Sequence, residues 1–253
     1  PDVFRPSMRL AMWVMLLAGI GTAISGDVQA RIMTEQQPMK MAAAEALYDT
    51  TDKAGFSLFT IGSLDGEEEI ASIRIPGLLS FMATGDPDGT VEGINDVQRE
   101  YEQTYGPGNY KPNIPVAYWS FRLMIGFGSL AILIALAGLW VTRRGRVPRS
   151  RWFYLGTASA VTLPLLANTF GWIFTEMGRQ PWTVFGVLQT KDSVSPTVST
   201  FDVATSLTVL TLLYGVLAAV ELKLLFTYGR SEPPQVTAHS EDDDSDRPLA
   251  FAY

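Results

Sequence analysis

The sequence contains no cysteine and a single histidine, His239, among its 253 residues. Without cysteine the chain can form no disulfide, and it offers no thiolate ligand for a metal ion or an iron–sulfur cluster. One histidine also excludes a histidine-rich metal site within this chain. Positive charge is scarce, since the formal net charge is −7 and the pI is ≈ 4.8, which argues against nucleic-acid binding.

Charged residues are nearly missing from four apolar segments of 18 to 26 residues, Met8–Ser25, Val116–Val141, Trp152–Glu176 and Val203–Tyr228. An α-helix crosses a bilayer with about 17–25 residues, and a backbone in lipid must satisfy its own hydrogen bonds. We therefore predict an all-α integral membrane protein with four transmembrane helices that form part of a larger helical bundle. The alternative is that one of the four segments, most plausibly Met8–Ser25, is a helix buried in protein and does not span the membrane.

Loop charges predict the orientation of these helices. Five arginines lie in or beside the short link after the second segment: Arg143, Arg144, Arg146, Arg149 and Arg151. Short basic loops stay in the cytoplasm. Residues 27–114 carry six Lys/Arg against fifteen Asp/Glu, which indicates the external side. The chain begins at Pro1, so we expect it to be the C-terminal part of a longer protein.

The predicted organisation follows from these spans. Transmembrane helices are expected at 1–26, 115–142, 152–177 and 203–229, external segments at 27–114 and 178–202, a cytoplasmic loop at 143–151, and a disordered acidic cytoplasmic tail at 230–253. Within the long external segment, the alanine-rich stretch Met39–Leu47 is typical of a helix. A connection this long is usually functional or disordered.

Ionisable residues at the ends of membrane helices are candidates for function because burying charge in lipid is costly. Trp172, Glu176 and Arg179 have helical spacings of four and three, so they share one face if the helix continues. Glu176 then either forms a structural ion pair with Arg179 or provides an oxygen ligand or proton acceptor that the arginine holds. The spacing leaves both alternatives open.

Met124 and Arg122 lie near the start of the second span. A lone methionine is usually a packing residue, and the alternative is a thioether ligand to haem iron. Arg122 is about 200° around the helix from Met124, so the two side chains do not share a face.

Lys40 and Glu45 lie in the predicted external helix, about 140° apart around its axis. They are either charges on a solvated helix or groups that act on a quinone. A lysine can hydrogen-bond a quinone oxygen, and a glutamate can accept a proton from a quinol hydroxyl.

Three motifs together resemble subunit I of the cytochrome bd-type quinol oxidases. They are Gly178-Arg179-Gln180-Pro181-Trp182 preceded by Trp172 and Glu176, the stretch Ser120-Phe121-Arg122-Leu123-Met124, and Gly26-Asp27-Val28-Gln29 followed by Gln37 to Glu45. The resemblance implies a terminal respiratory enzyme of the bacterial cell (inner) membrane, a translocase that oxidises ubiquinol or menaquinol outside and reduces O2 to water. It would generate a proton motive force without pumping.

The resemblance also implies cofactors, partners and residue roles. The cofactors are haem b558, haem b595 and haem d, and the partner is subunit II, with a small accessory subunit left open. Met124 would ligate haem b558, and Arg122 would tune or anchor it. Glu176 would ligate or support one haem of the high-spin pair, with Arg179 close by and Trp172 between haems. Lys40 and Glu45 would bind and deprotonate the quinol in the long loop.

One departure from the family pattern is large. The family's histidine ligands lie in the N-terminal half of subunit I, and His239 in the tail cannot replace them. The competing class is a non-redox membrane protein, such as a transporter half or a scaffold subunit. In that class Met124 would be a packing residue, and Glu176 and Arg179 an interface ion pair.

Overall fold

The computed structural model describes residues 4–63, 68–146, 148 and 150–230. The chain divides into two units, Pro1–Val194 and Ser195–Tyr253. The predicted acidic tail, His239 and Arg149 lie outside the described residues.

The described residues contain seven α-helices, which are α1 (Phe4–Gln36), α2 (Pro38–Glu45), α3 (Leu78–Thr84), α4 (Ile94–Tyr105), α5 (Ile114–Val141), α6 (Arg151–Arg179) and α7 (Thr200–Arg230). Four of them, α1, α5, α6 and α7, are long and apolar enough to cross a membrane. This confirms the predicted architecture of four membrane-spanning helices.

The first helix is longer than the sequence predicts, because α1 ends at Gln36 rather than at residue 26. The stretch from Gly26 to Gln29 is therefore helical. An ion pair of 3.2 Å between Asp27 and Arg31, one turn apart, supports this extension. The other spans begin and end within three residues of the predicted bounds.

Arginines join the start of α1 to the end of α5. Arg5 Nη2 and Arg9 Nη1 donate hydrogen bonds to the Thr142 carbonyl, at 3.1 and 2.9 Å. Cations at a helix C-terminus also interact favourably with the helix dipole. The basic end of α1 therefore meets the basic loop after α5, as the charge pattern predicts.

Small residues such as glycine let neighbouring helices approach a membrane span closely. At Gly138 of α5 a Cβ atom would lie 2.5 Å from the Met12 sulfur, so this glycine allows close packing with α1. At Gly126 and Gly128 no other atom of the described residues lies within 4 Å of the Cβ position. These two glycines leave open space on α5.

Six short strands accompany the helices in the first unit. They form three antiparallel pairs, β1 (Thr51–Asp52) with β4 (Thr90–Val91), β2 (Phe56–Gly62) with β3 (Glu69–Ile75), and β5 (Trp182–Val184) with β6 (Leu188–Gln189). No pattern in the sequence predicts these strands. The segment between α1 and α5, which contains α2, α3, α4 and β1 to β4, is consequently a folded layer and not an irregular loop.

The core of this layer forms around α2. Ala42, Ala43 and Ala44 are buried with Ile94 and Val97 of α4, and the same cluster includes Ala117 of α5 and Phe174 of α6. Alanine keeps the α2 surface small, so the helices approach closely. The predicted helix is present, but it is buried, so the alternative of a solvated helix is wrong.

The second unit contains α7. At its start the Ser199 amide donates to the Asp202 carboxylate at 3.1 Å, and the Asp202 amide donates to the Ser199 hydroxyl at 3.2 Å. This reciprocal pattern is a capping box and satisfies donors that a helix N-terminus leaves free.

Candidate functional site

A buried ion pair joins the folded layer to the second span. Glu45 is the last residue of α2, and its side chain is 1% exposed. Its Oε1 atom lies 2.5 Å from Arg122 Nη2 of α5, and its Oε2 atom accepts a hydrogen bond of 3.0 Å from the Ser57 amide. Ala46 follows with a positive φ of 45°, which ends the helix directly after the carboxylate.

Burial sets the protonation behaviour of Glu45. Removal from water disfavours the carboxylate and raises the pKa of Glu45, while the charge of Arg122 and the hydrogen bonds act in the opposite direction. A carboxyl group held between these effects can gain or lose a proton without leaving its place.

Arg122 is enclosed by aromatic rings. Its guanidinium lies 4.4 Å from the ring centroid of Phe56, 5.1 Å from that of Tyr118 and 5.2 Å from that of Phe121. Nη2 also donates to the Ala44 carbonyl at 3.3 Å. Nε and Nη1 are buried and have no hydrogen-bond partner among the described residues. These two donors are suited to an anionic group beside the pair.

Lys40, near the other end of α2, contacts α6. Its Nζ donates to the Thr175 carbonyl at 3.4 Å and lies 5.2 Å from the ring centroid of Phe174. Burial and the nearby charge of Arg179 lower the pKa of Lys40, and Glu176 acts against them. The lysine and Glu45 thus belong to one short helix but contact different membrane spans.

Close packing of this lysine depends on the first residue of the Gly178–Trp182 motif. A Cβ atom at Gly178 would lie 3.1 Å from Lys40 Cγ. The glycine therefore leaves room for the lysine stem against the end of α6.

Glu176 and Arg179 form the expected ion pair one turn apart, and both side chains are partly exposed. Arg179 Nε is buried without a partner among the described residues. Trp172, one turn earlier on α6, is 66% exposed.

Met124 packs against α6. Its sulfur would lie 2.9 Å from a Cβ atom at Gly171, the residue before Trp172. Met124 and Arg122 thus contact different neighbours, as their angle around α5 predicts. The thioether is half-buried between the two spans. No group of three or more His, Cys, Asp or Glu side chains that could hold a metal ion occurs in the described part of the chain.

The end of the Gly178–Trp182 motif belongs to an aromatic cluster. Trp182 is buried, and its ring centroid lies 5.0 Å from that of Tyr105 and 5.6 Å from that of Tyr110. The rings of Trp182 and Tyr110 are nearly parallel. Phe185 and Tyr101 complete the cluster. The motif therefore attaches the end of α6 to α4 of the folded layer.

Sequence reasoning missed the contact between Glu45 and Arg122. It also missed a set of buried hydroxyl groups beside them, in which Ser57 Oγ lies 2.7 Å from both Thr60 Oγ1 and Tyr118 OH. The available signal was chemical: an arginine inside an apolar helix needs a counter-charge, and the folded layer offers a carboxylate in an alanine-rich helix.

The chain is similar to several known proteins. A family model described as cytochrome bd terminal oxidase subunit I matches residues 1–233. Cytochrome bd ubiquinol oxidase subunit 1 of Bacillus subtilis is 42% identical over 218 residues, which are 86% of this chain and 47% of that protein. Cytochrome bd-II ubiquinol oxidase subunit 1 of Escherichia coli is 28% identical over 274 residues, covering 86% of this chain and 53% of the relative.

A solved structure is also similar. The bd oxidase from Geobacillus thermodenitrificans superimposes with a TM-score of 0.75 at 27% identity, over 90% of this chain and 50% of that one. The chain spans about half the length of the relatives it matches.

Proposed function

Because the chain belongs to the family of cytochrome bd terminal oxidase subunit I, we propose that it forms the C-terminal part of the subunit that oxidises quinol in a respiratory oxidase. The membership confirms the resemblance seen in the motifs and is at odds with a non-redox transporter or scaffold. The chain is a multi-pass protein of the bacterial cell membrane.

The buried pair of Glu45 and Arg122 is the observation that supports quinol oxidation most directly. Oxidation of a quinol to a quinone releases two electrons and two protons. Glu45 accepts one of these protons, and Arg122 keeps the carboxylate charged until then. Lys40 hydrogen-bonds a quinol oxygen from the other end of α2. Protons released here leave on the external side.

The residues of this chain fit part of the haem set. When bound, haem takes electrons from quinol and delivers them to O2. Arg122 Nε and Nη1, buried without partners among the described residues, are suited to a haem propionate. Met124, half-buried between α5 and α6, would hold haem b558 through its thioether sulfur. Its sulfur is a ligand type that favours reduced iron.

Glu176 and Arg179 serve the high-spin pair, haem b595 and haem d. The carboxylate is partly exposed and has one ion-pair partner among the described residues, so it remains open to a second partner. Trp172 projects from the same helix one turn away and would lie beside the haems. Histidine ligands, subunit II and any accessory subunit come from outside the described residues.

The complete oxidase tests the role of Glu45. We expect Glu45→Gln, which keeps the shape but accepts no proton, to lower quinol-driven O2 uptake by roughly 10²–10⁴-fold. Uptake driven by a water-soluble one-electron donor should stay the same. Glu35→Gln, at an exposed glutamate near the end of α1, is the matched control. Normal quinol oxidation by Glu45→Gln would exclude this carboxylate as the proton acceptor.

A further inference from the structure

The hairpin of β2 and β3 has two faces of opposite character. Side chains of directly paired residues lie on the same face of a sheet. The polar face contains the pairs Ser57–Arg74 and Thr60–Ser72, and the apolar face contains the pairs Phe59–Ile73 and Ile61–Ala71. A hairpin on a water-soluble protein would turn its apolar face to the core. Here the polar face is the one that points inward.

Contacts on the polar face fix this orientation. The Ser57 hydroxyl is buried between Thr60 and Tyr118, and the Ser57 amide holds Glu45. Arg74 Nη2 donates to the Ala46 carbonyl at 2.8 Å. Turning the hairpin over would break all of these bonds, so the apolar face must point away from the folded layer.

The apolar face is open and continuous with a membrane span. Ile73 is 62% exposed, and Phe59 and Ile61 are exposed too. The Phe59 ring meets the edge of Trp119 at a centroid distance of 5.4 Å. Trp119 lies in the second turn of α5, and exposed Leu123 follows one turn later. One apolar surface therefore runs from the hairpin onto the helix.

We propose that the apolar face of the β2–β3 hairpin rests on the lipid bilayer, at the boundary between headgroups and acyl chains. Trp119 supports this depth, because tryptophan is enriched at the membrane–water boundary.

The strand edges limit how deep the hairpin can lie. Among the described strands, β2 and β3 pair only with each other, so each has one edge without a strand partner. Such edges are not tolerated in hydrocarbon, because nothing there can hydrogen-bond the free N–H and C=O groups. Water and headgroups at the boundary can form these hydrogen bonds. The hairpin thus separates the lipid from the buried carboxylate of Glu45.

Spin labels on the complete oxidase test this placement. The chain contains no cysteine, so Ile73→Cys and Ile61→Cys, both on the apolar face, each give one label site in it once any cysteines elsewhere in the assembly are replaced. The labelled oxidase is placed in nanodiscs of phosphatidylglycerol and phosphatidylethanolamine. Collision rates of each label are then measured with O2, which concentrates in lipid, and with a water-soluble nickel chelate. Gln103→Cys, exposed on α4, is the water-facing control.

We expect the ratio of O2 to nickel collisions to be several-fold higher at both hairpin sites than at Gln103. A nickel collision rate equal to that at Gln103 would place the face in water. Low rates with both reagents would mean that protein covers it. Either result would overturn the proposal, and neither depends on the roles of Glu45 and Lys40 in quinol oxidation.

Discussion

Arg122 of a membrane span and Glu45 of the folded layer form a buried pair at 2.5 Å, although 76 residues of the chain lie between them. Taking two charges out of water is costly, and an excellent contact offsets that cost only while both partners remain. The pair is therefore sensitive to removal of either side chain.

Loss of Arg122 should change the pH dependence of quinol oxidation. Burial already raises the pKa of Glu45, and Arg122 lowers it. In Arg122→Gln the pKa of Glu45 rises further, so the carboxyl group stays protonated to a higher pH and cannot accept a proton there. We expect the acidic limb of the activity profile, measured as quinol-driven O2 uptake, to move to higher pH.

Thermal unfolding separates this effect from simple damage to the fold. Removing one partner of a buried pair costs about 3–5 kcal/mol, so Arg122→Gln should lower the melting temperature. The double variant Glu45→Gln, Arg122→Gln has no unpaired charge and should recover part of that loss. An unshifted acidic limb in Arg122→Gln would contradict the proposed coupling.

Replacement of Met124 by leucine should remove a haem ligand at little cost in packing. Swaps of similar volume usually cost less than about 1.5 kcal/mol. We expect the low-spin signal in the reduced-minus-oxidised spectrum of the complete oxidase to be lost or shifted. Met15→Leu, at a half-buried methionine of α1, should leave the spectrum unchanged. The same spectrum in both variants would assign Met124 to packing.

Gly171 should influence the same haem indirectly. An added Cβ would lie 2.9 Å from the Met124 sulfur, so Gly171→Ala must displace the thioether. We expect a shifted midpoint potential of the low-spin haem in a redox titration. Gly156→Ala on the same helix is the control, because nothing lies within 4 Å of its Cβ position. Equal midpoint potentials in the two variants would show that the contact between Gly171 and Met124 does not affect the low-spin haem.

Lys40 should control the affinity for quinol. A hydrogen bond to a charged group contributes about 1.5–3 kcal/mol, so Lys40→Met should raise KM for quinol about tenfold or more. Because the pKa of Lys40 is lowered from 10.5, the charge is lost at a lower pH than in an ordinary lysine. In the unsubstituted oxidase, KM for quinol should accordingly begin to rise with increasing pH at a pH below 10.5.

The control for that experiment is Lys53→Met. Lys53 is exposed and forms an ion pair with Asp88 at 2.8 Å. An equal change of KM in both lysine variants would point to a general charge effect on quinol binding.

The spans were predictable and the site geometry was not, for physical reasons. A run of apolar residues such as Val116–Val141 predicts a spanning helix because charge in lipid is costly. The end of α1 was predicted too early, since Gly26 and Asp27 are typical of loops but continue the helix here. The ion pair between Asp27 and Arg31, one turn apart, supports the helix despite the low helix propensity of Gly26 and Asp27.

Spacing along a helix identified the pair of Glu176 and Arg179, because both belong to one element. The contact of Glu45 with Arg122 joins two elements, and no periodicity in the sequence relates them. The β2–β3 hairpin was missed for another reason: the register shift between Ser57 and Phe59 interrupts the alternation of polar and apolar residues along β2.

The shortness of α2 limits how the sequence of this region can vary. Its eight residues reach α6 through Lys40 at one end and α5 through Glu45 at the other. One residue inserted between them would rotate one side chain by about 100° relative to the other. Length changes in the region are therefore expected only after Glu45, where turns and strands can absorb extra residues.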